Sequence, residues 1–167
     1  MRFEILDSFS NWLGTTQLSH FVTGNFWVWP ACETLHFIGL SLLIGVIGAM
    51  DLRMLGVAKR VPFGPLNRLL PWGIAGFVIN LITGVLFYIG APAQYVHNIA
   101  FQLKMLFILL AGANVLIFYL TVSRQVEAMG PGDDAPLGAK VMAGASLFLW
   151  IGVLYWGRML PFIGQAF

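Results

Sequence analysis

From Leu69 to Leu103 this chain contains no Asp, Glu, Lys or Arg. A charge-free run of that length has no place on the surface of a water-soluble domain, and it exceeds the ~20 apolar residues that cross the hydrocarbon core of a bilayer. Gly90-Ala91-Pro92 punctuates it, so it divides into a membrane helix over about 70–90 and a turn leading into another over about 97–123. Kept as one kinked helix it would be far longer than a bilayer requires and would leave Tyr95 and His97 at no sensible depth.

Two further runs have the same character. Trp29 to Gly56, WPACETLHFIGLSLLIGVIGAMDLRMLG, opens at Pro30 and closes in Asp51 and Arg53, which marks a helix over about 30–55. A last helix over about 139–160 begins near Lys140 and ends in Tyr155, Trp156 and Arg158, an aromatic and basic interfacial finish. With 59% hydrophobic and 10% charged residues and a mean hydropathy of +0.83, the sequence predicts an all-α membrane protein, a bundle of four transmembrane helices in one domain spanning 1–167. The segment 1–28 lies outside the bundle. In FEILDSFSNWL, Phe3, Leu6, Phe9 and Leu13 share a face flanked by Ile5 and Trp12, with Asp7, Ser8 and Asn11 opposite, the pattern of an amphipathic helix on the membrane surface. TTQLSHFVTGNFWVW after it reads as interfacial chain carrying His20 to head-group level. No continuous apolar run occupies the first twenty residues, so no cleavable signal peptide is expected.

Charge placement orients the bundle. Arg53, Lys59, Arg60, Arg68, Arg124 and Lys140 fall at one end, Arg2, Lys104 and Arg158 at the other, so the positive-inside rule puts both termini on the periplasmic side of a bacterial inner membrane. Nine basic residues scattered in this way form no patch for nucleic acid. The single cysteine, Cys32, excludes an internal disulfide, a multi-Cys zinc site and a C-x-x-C-H attachment, so any haem would be of b type.

In this topology His36 near the start of the first membrane helix, His97 near the start of the third and His20 in the outer segment come to one membrane face. Lys104, seven residues after His97 and therefore on its face with Phe101 between, is an ammonium placed deep enough to want an anionic partner. Haem b answers both needs: His36 and His97 as axial ligands, Lys104 and Arg158 for the propionates, and Glu33, one turn from His36, to accept the second ring N–H. A second haem would use His20 with a non-histidine ligand. The plainer readings are a His36 that hydrogen-bonds a neighbouring helix, a solvated His20, a Glu33 paired with Lys104 or Arg158, and glycines Gly39, Gly45 and Gly48 that serve helix packing. A haem at the outer face would exchange electrons with quinone or a periplasmic redox protein.

Other chemistries find less material. Glu33-x-x-His36 is half of a di-iron motif without its second copy. Cys32 and His36 at i, i+4, together with methionines, would hold copper. In a small transporter or channel, Glu33, Lys104, Asn80 and Asn114 would line a polar path with His36 as proton relay. Walker, G-x-S-x-G and dinucleotide fingerprints are absent.

The string WP-x-x-E-x-x-HFIGL followed by DLR-x-LG resembles a group of small bacterial inner-membrane proteins, and the four-helix layout is similar to membrane b-type cytochromes and copper-resistance D-type proteins. The resemblance implies haem b held by His36 and a partner histidine, and homo-oligomers. Unlike the cytochrome b561 pattern, this chain has no histidine on the cytoplasmic side.

Overall fold

The computed structural model describes residues 2–163, without the side chains of Arg2, Phe3 and Ile5, so what was read from those three side chains lies outside the described residues. Nine helices are described: α1 (Arg2–Gly14), α2 (Gln17–Gly24), α3 (Val28–Met54), α4 (Phe63–Asn67), α5 (Leu70–Gly90), α6 (Pro92–Val96), α7 (Ile99–Thr121), α8 (Ser123–Glu127) and α9 (Leu137–Met159). α3, α5, α7 and α9 are each long and apolar enough to span a membrane. The fold is thus an all-α bundle of four transmembrane helices, with boundaries within a few residues of those read from hydropathy.

The helices do not close into a ring. α3 packs on both α5 and α9, and α7 packs on α9, whereas α5 and α7 do not run along each other. α7 in consequence turns Leu106, Leu109, Leu110, Leu116 and Leu120 outward, which is the composition that lipid, rather than water, stabilises. The closest approach is that of α3 to α5, where Gly39 faces Gly76. A Cβ on Gly39 would lie 2.8 Å from the Gly76 carbonyl oxygen, so only glycine permits the approach.

At the end of α3 the chain finishes in a glycine stop. Gly56 takes a left-handed φ of 92°, its N–H bonds Arg53 O and the Val57 N–H bonds Leu52 O, which satisfies the last helical carbonyls. Arg53, counted in the sequence as a loop charge, is fully buried. Its guanidinium donates to the carbonyls of Val61, Gly130 and Asp133, drawing the α3–α4 and α8–α9 connections together; three carbonyl acceptors are what make a buried guanidinium tolerable. Outside it, Asp134 accepts from Lys59 at 2.9 Å and Lys140 at 2.7 Å. Beneath lies a core of Met50, Met54, Phe63, Val126, Met129 and Ala139.

The opposite end carries α1, α2 and α6. Two expectations are corrected there. The segment after α1 is helical rather than loose interfacial chain, because the Thr16 hydroxyl accepts from the Ser19 N–H and starts α2. Asn98 caps α7, its side chain accepting from Ala100 N–H, so His97 ends α6 and lies outside the register that would carry it onto the face of Lys104. Phe101 stacks on Tyr88 and packs on Tyr95.

Candidate functional site

His36 projects from α3 toward α5, where its Nδ1 lies 2.7 Å from the Thr83 hydroxyl. That hydroxyl donates its only proton to Ile79 O at 2.7 Å, so it accepts from the ring: Nδ1 carries the proton and Nε2 keeps a lone pair. No partner for Nε2 is found among the described residues. Phe87 packs edge-on against the imidazole, its centroid 5.6 Å away, and Gly84 lies beside Cε1. The second ring nitrogen is thus fixed by Thr83 rather than by Glu33. Glu33 is exposed and accepts from Trp29 Nε1 at 3.1 Å, and among the described residues it pairs neither His36 nor a cation.

Lys104 lies at the same end of the bundle, on α7. It is partly buried and lies along Gly157 of α9 with Nζ 3.6 Å from where a Cβ would stand. It makes no hydrogen bond or ion pair among the described residues. An ammonium at this depth with no counter-ion is a costly arrangement.

The remaining predicted site residues are elsewhere. His97 is half exposed at the α6–α7 junction, and its Nε2 is 2.6 Å from Asp7 Oδ1 of α1. His20 is exposed on α2. Arg158 is exposed and turned onto the Phe162 ring, 5.4 Å from its centroid. Cys32 is buried with Val22 and Val28, away from any soft-metal set, and no group of three or more His, Cys, Asp or Glu able to hold a metal ion occurs among the described residues. Asn80 donates to Gly76 O within α5 and Asn114 donates to Met142 O of α9, so both amides serve helix packing. Tyr95 is partly buried near this end, and burial, then the Glu33 charge, raise its phenol above the ordinary value.

One constellation went unread in the sequence. A cavity of about 350 Å³ opens between α5 and α7 at the Arg53 end of the bundle. Asp51, taken from the sequence as a helix-end marker, is buried at its wall with the Ser146 side chain against its carboxyl. Asp51 Oδ2 and Trp150 Nε1, covered by protein behind that wall, have no hydrogen-bond partner among the described residues. The sequence signal was available: Asp51, Ser146 and Trp150 are polar groups at positions that a four-helix bundle turns inward.

His36, with no Nε2 partner among the described residues, and Lys104 are the groups at this end that would hold a haem, the imidazole toward its iron and the ammonium toward its carboxylates. Compared with known proteins, the chain matches no family model, no curated protein and no solved structure, so its chemistry is to be read from these residues.

Proposed function

We propose that the chain is a b-type cytochrome of the bacterial inner membrane, with both termini periplasmic and haem b at the His36 end, exchanging electrons with quinone or a periplasmic redox protein. The observation that carries this reading is the presence, at one end of the bundle, of an imidazole whose free nitrogen is set by Thr83 and of a partly buried ammonium with no counter-ion among the described residues. Haem, when bound, supplies a one-electron iron couple.

The chain's own residues would each do a definite task. Thr83 accepts the Nδ1 proton and so aims the Nε2 lone pair away from α5. Phe87 excludes water from one edge of the ring, and Lys104 supplies positive charge at a depth where few solvent dipoles compete with it. His97 is not assigned a ligand role, because Asp7 holds its Nε2. The transport reading is less well supported, since Asn80 and Asn114 bond helix carbonyls and Glu33 faces outward.

Lys104→Met tests the reading. Removing a cation beside the haem disfavours the reduced, less positive state, so the midpoint potential should fall, with the Soret band retained. A spectrum and potential identical to those of the wild type would refute a propionate role for Lys104. A wild-type preparation from haem-replete cells without a Soret band would refute the cytochrome.

A further inference from the structure

The cavity at the Arg53 end is a cleft rather than a closed void. α5 and α7 form its sides and do not pack along each other, while α3 and α9 close the floor with Leu43, Ile47 and Trp150. The lining is almost wholly apolar, so water does not stabilise it, and left empty it would forfeit the contacts its walls could make. On α7 the lining runs from Ile108 to Tyr119, about 16 Å along the helix axis. That matches the hydrocarbon of one leaflet, half of a ~30 Å core. Trp72 near the start of α5 and Tyr119 near the end of α7 are both exposed and set the mouth at head-group level, where amphipathic rings settle. A chain lying in the cleft would therefore begin at the head groups and end near the bilayer midplane.

Charge at the mouth says which head group. Of the cations at this end, Arg53 is engaged by carbonyls of the connections, and Lys59 and Lys140 by Asp134. Arg68 and Arg124 are exposed, and their side chains make no hydrogen bond or ion pair among the described residues. Glu127, three residues beyond Arg124 on α8, forms no ion pair with it. Arg68 precedes Leu70 of the cleft by two residues and Arg124 follows Tyr119 by five, so one arginine stands on the α5 side of the mouth and the other on the α7 side. A guanidinium forks onto phosphate oxygens. Two of them beside an apolar cleft suit a lipid with a net negative head group, whereas a zwitterionic one brings its own cation to the same place.

We infer that this cleft is a site for an anionic glycerophospholipid, one acyl chain lying between α5 and α7 and the phosphate held between Arg68 and Arg124. The site is at the other end of α3 from His36 and does not depend on haem; binding to haem-free protein tests it alone.

The test uses full-length protein in phosphatidylcholine bilayers, with chain-brominated phosphatidylglycerol or chain-brominated phosphatidylcholine added and tryptophan fluorescence followed. Trp150 floors the cleft, so the quenching that Trp150→Phe removes reports a chain inside it. Phosphatidylglycerol should produce that quenching saturably and at least tenfold more tightly than phosphatidylcholine. Arg68→Gln and Arg124→Gln should each lower the preference about fivefold, the effect of one basic residue at an anionic lipid surface. Arg60→Gln removes an exposed cation of the same end with no sequence neighbour in the cleft, and should leave the preference unchanged. Gly112 lines the cleft, and a Cβ there meets nothing within 4 Å, so Gly112→Phe should fill the space and abolish the Trp150 quenching while the helical spectrum and melting are retained. Equal affinity for the two lipids would show a groove for any chain and overturn the inference. A fall with Arg60→Gln as large as with Arg68→Gln would reduce the preference to diffuse surface charge and overturn it as well. So would quenching unaffected by Gly112→Phe, or a dimer in dodecylmaltoside that Gly112→Phe splits, which would give the cleft to a second copy.

Discussion

Replacing Gly39 with alanine should loosen the α3–α5 pair on which the His36 site depends. The added Cβ would meet Asn80 Nδ2 at 2.6 Å, Gly76 O at 2.8 Å and Ile79 Cγ2 at 2.9 Å, where ordinary contact begins at 3.4 Å. The Asn80 amide can swing aside, but the Gly76 carbonyl is backbone, so the two helices must part by roughly half an ångström, enough to forfeit a quarter to a half of the attraction between neighbouring atoms. Overpacking of this kind costs about 1–3 kcal/mol, and alanine's better helix propensity, about 1 kcal/mol, offsets part of it. Titration with sodium dodecyl sulfate in dodecylmaltoside micelles, followed by tryptophan fluorescence, should show a destabilisation of about 1–2 kcal/mol. Gly45→Ala is the control: its Cβ meets nothing within 4 Å, so it should leave stability unchanged or raise it. Equal effects of the two substitutions would refute the claim that contact at Gly39, rather than the loss of a glycine, sets the cost. Parting the helices would also stretch the 2.7 Å His36–Thr83 contact, so Gly39→Ala should disturb the site from one turn away.

Thr83→Val keeps the shape of the side chain but removes the acceptor for the His36 N–H; it should cost about 1–3 kcal/mol, and nitrogen NMR of labelled histidine should show His36 losing its single tautomer, whereas Thr83→Ser retains it. At the Arg53 end, hydrogen bonds from Lys140 and then Lys59 hold the Asp134 carboxyl down at about 2 against an ordinary 3.8. A carboxyl depressed on folding stabilises above its unfolded value and ceases to as pH falls through the folded one, so the Lys59–Asp134 part of the tie between the two connections should persist at pH 5 and be lost between about pH 4 and 2, leaving the Arg53 hydrogen bonds, read as faster proteolysis of the α8–α9 connection.

The spans were legible because each membrane helix needs about twenty apolar residues and loops carry the charges, and the break at Gly90-Ala91-Pro92 followed from its residues alone. α2 was not, since eight residues of mixed polarity become helical only through the Thr16 cap and packing on α5. At the site, His36 and Lys104 were recognisable as ionisable groups at membrane depth. The acceptor of the His36 proton, Thr83, was not, because it lies 47 residues away and depends on the helix register set where Gly39 meets Gly76. Pairing His97 with Lys104 failed for a local reason that the sequence did contain: Asn98 ahead of an apolar run is a cap, and a residue before the cap does not follow the helical period. Asp51 and Arg53 looked alike as helix-end charges. Which of the two would reach a carbonyl cluster, and which a cavity, was decided by α9 and the inner connections folding over them.

The most direct test of haem held by His36 is the haem b content of purified variants, measured as the pyridine haemochrome. We expect about one haem per chain in the wild type, near-complete loss in His36→Ala, and retention in His97→Ala, whose ring is engaged by Asp7. Haem retained in full by His36→Ala, or lost equally in His97→Ala with the fold intact, would contradict the assignment.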